Sequence, residues 1–325
     1  MAASPATPAE LLAASEVLKR HERVAVIGAG VIGLSWTALF LAHGLRVCVN
    51  DPDPDVRDKV LAGLERIGPA LAGVGLPANG LSERLDFETD LGRAVRGVDV
   101  VQENGPEDIA FKQDLWAAVE GAVGSGALLL SSTSGHPATA QAAKMADPGR
   151  LLVGHPFNPP HLVPLVEVVP GEGTDPAAVE DAVDFYTALG KRPLVLRKEM
   201  PGFVANRLQS ALLRESIHLV AEGVVSMEDL DAIVTSSIGL RWAAAGPFLT
   251  FHLGGGSGGL ARFLEHFGPN LESRWTSLGH PRLDEATVAL LSDQADDAYG
   301  QESVDELADR RDRMQLAIMD ALAAT

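Results

Sequence analysis

The sequence predicts an α/β protein in which an N-terminal doubly wound sheet is followed by an all-α C-terminal domain. Three observations predict it. Short, almost continuously apolar runs alternate with helical patterns up to about residue 197, as expected for parallel strands covered on both faces. A glycine-rich turn joins the first of those strands to the first of those helices. After Met200-Pro201-Gly202 the β-rich runs stop and apolar residues recur at helical spacing. The boundary is therefore placed near residue 200, which divides the 325 residues into a domain 1–200, with residues 1–20 as an Ala-rich leader, and a helical domain 201–325.

The strands are read in order as Val24–Gly28, Arg46–Asp51, Val98–Glu103, Ala127–Ser132, Leu151–His155, Pro164–Val169 and Pro193–Arg197. Helices fill Val31–His43, Val56–Leu71, Glu107–Val123 and Pro176–Leu189 between them. In the second domain Phe203 to Val224 reads as one long helix, and Ser226 with Glu228 and Asp229 reads as an N-cap and acidic first turn. The run Gly254–Gly259 lacks the preceding strand and the Lys-Ser/Thr of a phosphate loop, so it reads as a link between helices.

Composition narrows the function. Acidic residues outnumber basic ones by 44 to 26, a net charge of −18, which disfavours nucleic acid and anionic membrane because both require a basic patch. Cys48 is the single cysteine, so no disulfide framework or cysteine metal cluster is expected, and cytoplasm is the simplest compartment. Val24 to Leu45 carries no Asp, Glu, Lys or Arg and is long enough to span a bilayer, but its glycines and strand-like start fit a buried strand–turn–helix. His136 and His161 stand alone, and no metal is predicted.

Val24-Ala25-Val26-Ile27-Gly28-Ala29-Gly30-Val31-Ile32-Gly33 places G-x-G-x-x-G between strand and helix, the Rossmann-type arrangement. Gly28 permits the turn, Gly30 lets a pyrophosphate approach the backbone and Gly33 lets helix and strand close together. The helix start at Val31 and Ile32 offers N–H donors to the phosphates. Asp51 closes the second strand, where an acid accepts from the adenosine ribose, and Asp53 and Asp55 after it would repel a 2′-phosphate. The cofactor predicted is NAD.

His155 sits in Gly154-His155-Pro156-Phe157-Asn158-Pro159, and Glu167 follows within reach if the two segments form a hairpin. A histidine takes a proton near neutral pH, and a carboxylate on its other nitrogen fixes the tautomer. Ser134 in Ser131-Ser132-Thr133-Ser134-Gly135 and Asn206 in Pro201-Gly202-Phe203-Val204-Ala205-Asn206-Arg207 are candidate donors to a substrate oxygen. Taken alone, His155 and Glu167 also fit a core histidine and a strand-borne charge.

Together these motifs resemble the L-3-hydroxyacyl-CoA dehydrogenase family across nearly the whole chain. The resemblance implies that His155 is the catalytic base, Glu167 its partner, and Ser134 and Asn206 the contacts to substrate oxygen. It also implies that Gly28, Gly30, Gly33 and Asp51, with Glu107 and Lys112 in Pro106-Glu107-Asp108-Ile109-Ala110-Phe111-Lys112, form the NAD site. Pro156 after the histidine, Arg241-Trp242-Ala243-Ala244-Ala245-Gly246-Pro247-Phe248 and His266-Phe267-Gly268-Pro269 are similar to the short-chain branch that contains carnitine dehydrogenase, L-gulonate 3-dehydrogenase and lambda-crystallin.

The helix after the second strand sets Arg57, Lys59 and Arg66 against Asp55, Asp58 and Glu65. That is a poor basic surface for coenzyme A, so a small free 3-hydroxy acid is favoured over an acyl-CoA thioester. Arg241 is a candidate for a substrate carboxylate, and Trp242, Phe248, Phe251 and Trp275 for a trimethylammonium. Core or dimer packing is the alternative for these aromatics. The resemblance implies a homodimer formed through the helical domain. A non-catalytic, crystallin-like NADH-binding protein is the alternative of another class, and the paired His155 and Glu167 speak against it.

Overall fold

The computed structural model describes residues 7–324. In chain order the strands are β1 (Arg23–Ile27), β2 (Arg46–Asn50), β3 (Leu85–Phe87), β4 (Val100–Glu103), β5 (Leu128–Ser131), β6 (Leu151–Pro156), β7 (Leu165–Pro170) and β8 (Arg192–Val195). The helices among them are α1 (Pro8–Arg20), α2 (Val31–Ala42), α3 (Val56–Gly73), α4 (Leu91–Ala94), α5 (Ile109–Ala122), α6 (Ala138–Gln141) and α7 (Pro176–Ala188). After them come α8 (Ala205–Ala221), α9 (Met227–Ser236), α10 (Ile238–Ala244), α11 (Pro247–Gly254), α12 (Gly259–Trp275), α13 (Glu285–Tyr299) and α14 (Val304–Ala323).

The strands form one sheet in the order β3-β2-β1-β4-β5-β6-β7-β8. Its neighbours pair parallel except β6 with β7, which pair antiparallel. Chain order reverses between β1 and β4, the point at which open α/β sheets bind ligands outside their carboxyl ends. Successive side chains alternate between faces. Val24 and Val26 join Trp36, Phe40, Leu64 and Tyr186 on one side, while Ala25 and Ile27 join Val101, Leu115 and Trp116 on the other.

The uncharged Val24–Leu45 segment is β1, α2 and the start of the return to β2, with α2 buried from Ser35 to Ala42. Among the described residues no helix is long and apolar enough to cross a membrane.

Three local differences from the sequence reading have physical causes. Residues 8–20, read as leader, form α1, whose start is fixed by reciprocal hydrogen bonds between Thr7 and Glu10. At its other end His21 Nε2 lies 3.1 Å from the Asp181 carboxylate of α7. The three-residue β3 escaped notice because it is too short to show a period. Helix α5 begins at Ile109 rather than at Glu107, because the Asp108 carboxylate accepts the Phe111 N–H at 2.7 Å and caps the helix there. Glu107 is thereby left in the loop.

The chain divides into two compact units, one running to Val204 and taking in the chain from Arg311 onward, the other Ala205–Arg310. The closing residues, read as part of the helical domain, group with the first unit, where Leu316 covers Gly73. In the second unit Ser226 Oγ accepts the Asp229 N–H at 3.1 Å at the start of α9. The glycine run turns α11 into α12. Gly259 has φ +59 and the His252 ring lies over it, so a side chain has no room there.

Candidate functional site

At the carboxyl end of β1 the backbone turns through Gly28 with φ +83. A Cβ on Gly28 would lie 2.7 Å from the Asn104 carbonyl, and one on Gly33 would lie 1.9 Å from the Gly28 carbonyl. A Cβ on Gly30 would meet nothing within 4 Å. The first and third glycines are thus required by the protein's own backbone, whereas at Gly30 the space is open. Gly30 also N-caps α2 with no side-chain cap for the first N–H groups, and a helix start of this kind can receive an anion. Val31 is exposed and Ile32 half-buried.

Asp51 follows β2, and its carboxylate accepts the Ala29 N–H at 2.8 Å and the Asp53 N–H at 2.9 Å. It therefore braces the glycine turn. A carboxylate has about four lone-pair sites, which leaves acceptor capacity for hydroxyls. This cradle and acid fit an NAD adenosine and pyrophosphate.

Asn104, which the sequence reading did not select, supports the same turn. Its side chain accepts from Ser132 Oγ at 2.7 Å and donates to the Gln102 carbonyl at 3.0 Å.

The dyad stands on the antiparallel pair at the far side of the switch point. His155 and Glu167 are register partners in β6 and β7. His155 Nδ1 lies 2.8 Å from Glu167 Oε2, and both side chains are buried. Glu167 Oε1 accepts the backbone N–H of Val204 at 3.1 Å. The ring of His155 is flanked by Phe157, with centroids 4.7 Å apart, and by Phe203 at 5.3 Å. Phe203 is fully buried with φ 49, a left-handed conformation a bulky residue rarely adopts. Together with Gly202 it makes the turn that delivers the Val204 N–H to the carboxylate.

Ser134 follows β5, and Glu107 gathers the loop around it. Glu107 accepts from Thr133 Oγ1 at 2.6 Å and from both the N–H and the hydroxyl of Ser134, at 2.5 and 3.0 Å. Burial works to raise its pKa, but the bonds from Thr133 and Ser134 and the Lys112 charge outweigh it and hold the carboxyl below the usual range.

Lys112 is 1% exposed, so it lies behind Glu107 rather than at the surface. Its ammonium is 2.7 Å from Glu103 Oε1 and 3.9 Å from Glu107 Oε2. Glu103 ends β4, is fully buried and was missed from sequence, although a lysine buried this deeply requires a carboxylate partner.

Behind the dyad, the 158–163 loop is tied down twice. The Ser35 hydroxyl on α2 lies 2.8 Å from His161 Nδ1 and accepts the His161 backbone N–H at 2.9 Å. The buried ammonium of Lys191 donates to the Pro160 and Val163 carbonyls.

Asn206 lies in the first turn of α8, in the second unit. Arg241 and Trp242 are on α10 and Phe248 begins α11. All three are exposed in their unit. Phe251 is exposed too and packs at a tilt against Phe263, with centroids 4.9 Å apart. Among the described residues no cluster of His, Cys, Asp and Glu is arranged to hold a metal ion.

Residues 23–200 match the family model of the 3-hydroxyacyl-CoA dehydrogenase NAD binding domain, and residues 202–287 match that of the 3-hydroxyacyl-CoA dehydrogenase C-terminal domain. The chain is 46% identical over 303 residues to an L-carnitine dehydrogenase of Streptomyces griseus, covering 93% of this chain and 90% of the relative. It is 42% identical over 301 residues to an L-carnitine dehydrogenase of Pseudomonas aeruginosa, covering 93% and 94%.

Among solved structures it resembles 5-formyl-3-hydroxy-2-methylpyridine 4-carboxylic acid 5-dehydrogenase, described as an NAD+ dependent dismutase. That match has a TM-score of 0.73 and 28% identity over 93% of this chain and 98% of that one. A 3-hydroxyacyl-CoA dehydrogenase of Archaeoglobus fulgidus matches with a TM-score of 0.60 and 27% identity, covering 76% and 82%.

Proposed function

The chain belongs to the 3-hydroxyacyl-CoA dehydrogenase family and is an NAD-dependent oxidoreductase of CH–OH groups, and on that premise we propose that it oxidises the 3-hydroxyl of a small free L-3-hydroxy acid, with L-carnitine as the first candidate. The observation that carries the reading is the 2.8 Å contact between His155 Nδ1 and Glu167 Oε2. With Nδ1–H donated to the carboxylate, Nε2 carries the lone pair that accepts the hydroxyl proton. Glu167 then lies against the imidazolium that forms. NAD, when bound, supplies the acceptor for the hydride. Asn206 and Ser134 donate to the substrate oxygen and hold the carbinol for transfer, the Ser134 hydroxyl turning its single proton from Glu107 to that oxygen while its N–H stays on Glu107. Gly28, Gly30, Gly33 and the start of α2 carry the pyrophosphate. Asp51 accepts from the ribose, and its charge disfavours a 2′-phosphate.

The preference for a free acid rests on charge already spent. On α3 the Lys59 ammonium is bonded to Asp53, and Arg57 lies 4.7 Å over the Phe87 ring. Few cations remain there for a coenzyme A tail, which carries several phosphates. Relatives at 40–46% identity named as L-carnitine dehydrogenases support the choice of substrate. Trp242 and Phe248, 42% and 77% exposed, are not core residues of their unit. The reading gives them to the quaternary ammonium and gives Arg241 to the carboxylate.

Within their own unit, helices α9, α10, α11 and α13 bury no residue. Exposed apolar surface on that scale is covered by a partner, and the reading assigns a second copy, hence a homodimer in the cytoplasm. Turnover with NAD should appear with L-carnitine and exceed that with L-gulonate and, in the reverse direction, with acetoacetyl-CoA. Preference for acetoacetyl-CoA would replace the free acid by a thioester. Activity with none of the three would remove the reading.

A further inference from the structure

Lys112 stands between two carboxylates and hydrogen-bonds only one. Its ammonium is 2.7 Å from Glu103 and 3.9 Å from Glu107. Glu103 has no solvent exposure and is fully committed: Oε1 takes the ammonium and the Gly105 N–H at 2.7 Å, and Oε2 takes the Ser131 hydroxyl at 2.6 Å. Glu107 is about half exposed and spends its oxygens on Thr133 and Ser134. A buried ammonium whose partner is removed is strongly destabilised and seeks the next acceptor. Here the next acceptor is the carboxylate that holds Ser134.

We propose that Glu103 is a positioning residue for the reaction: by retaining the Lys112 ammonium it keeps Lys112 from closing on Glu107, and so leaves Glu107 to fix the Ser134 N–H and with it the place from which the hydroxyl turns to the substrate oxygen. Glu103 touches neither substrate nor cofactor in this scheme. It acts along the series Glu103, Lys112, Glu107, Ser134, which runs from the end of β4 to the loop after β5. The proposal rests on the reading of Ser134 as a substrate contact only for its kinetic consequence; the side-chain series itself does not depend on it.

The test is a mutant cycle in the full-length enzyme with Glu103→Gln, Lys112→Met and Ser134→Ala, read as kcat, KM and NADH affinity, together with a crystal structure of Glu103→Gln. In the wild type, Ser134→Ala lowers kcat by about tenfold or more, as expected for loss of a donor to a reacting oxygen. In Glu103→Gln, kcat is already lowered by a similar factor while NADH affinity stays within about threefold, and adding Ser134→Ala changes it by less than about twofold. In Glu103→Gln/Lys112→Met both buried charges are gone, which favours folding if the single variant does not fold. No ammonium draws Glu107 away there, so Ser134→Ala again has its full wild-type effect. The crystal structure should show Lys112 within hydrogen-bond distance of Glu107.

An equal effect of Ser134→Ala in all backgrounds would overturn the proposal by making Glu103 merely structural. So would a Glu103→Gln structure in which Glu107 still holds Ser134. If the wild type turns over no 3-hydroxy acid, the functional reading fails instead, and the crystal structure still decides the proposal.

Discussion

Val204 donates its backbone N–H to Glu167 at 3.1 Å, on the carboxylate oxygen that His155 does not use. Both oxygens of the dyad's acid are therefore held, one by the imidazole and one by the chain as it leaves the first unit. The ring of the preceding residue, Phe203, packs against His155. Replacing Phe203 by Ala removes a fully buried ring and should cost about 3–5 kcal/mol in urea unfolding. Phe203→Leu should retain much of the stability but lower kcat more than NADH affinity. A leucine variant with unchanged kcat would show that the ring does not position the base.

The glycine turn yields a contrast between two neighbouring positions. Gly33→Ala brings a methyl to 1.9 Å from the Gly28 carbonyl and should lower both thermal stability and NADH binding. Gly30→Ala meets no protein atom within 4 Å, so the fold should keep its stability while NADH affinity falls by about tenfold or more. Equal losses of stability in the two variants would argue that Gly30 serves the fold and not a dinucleotide.

How much of this was legible in the sequence follows from where the signals lie. The glycine fingerprint and the apolar strands are local patterns, and they place Gly28, Gly33 and the sheet because spacing alone encodes them. The dyad was legible as two residue types, His155 and Glu167, whose separation allowed a hairpin without requiring it; the antiparallel register of β6 and β7 supplies it. Glu103, Asn104 and the Phe203 turn were not legible. Their roles depend on which strand ends lie side by side, and no periodicity reports that. The start of α5 was misjudged for a different reason: either Glu107 or Asp108 suits a helix start by type, and only the bond from the Phe111 N–H to the Asp108 carboxylate shows which residue caps it.

His161 carries a pH prediction. Burial pushes its imidazole down from 6.5 to about 4, partly opposed by the Asp312 carboxylate, with Lys191, Arg311 and Arg66 adding to the depression. Between those two values the unfolded chain holds a proton on this ring and the folded protein does not, so acidification through that window favours unfolding. Below about pH 4 both states are protonated and the loss stops. Stability should thus fall by about 2–3 kcal/mol from this residue between pH 6.5 and 4.5. Urea unfolding of His161→Gln across the same range should lack that increment. An identical pH dependence in the variant and the wild type would contradict the assignment.

Glu167→Gln keeps the shape of the dyad but removes the charge that stabilises the imidazolium. It should lower kcat by about a hundredfold or more with NADH affinity little changed. A loss confined to NADH affinity would move Glu167 from the chemistry to the cofactor site.

The central claim is that His155 receives the substrate proton during hydride transfer to NAD. Single-turnover oxidation of L-carnitine, followed by NADH absorbance at saturating NAD in the wild type and His155→Ala, tests it most directly. The account predicts a fall of about a thousandfold in the transfer rate with NAD binding retained. A variant that transfers hydride at the wild-type rate would contradict it.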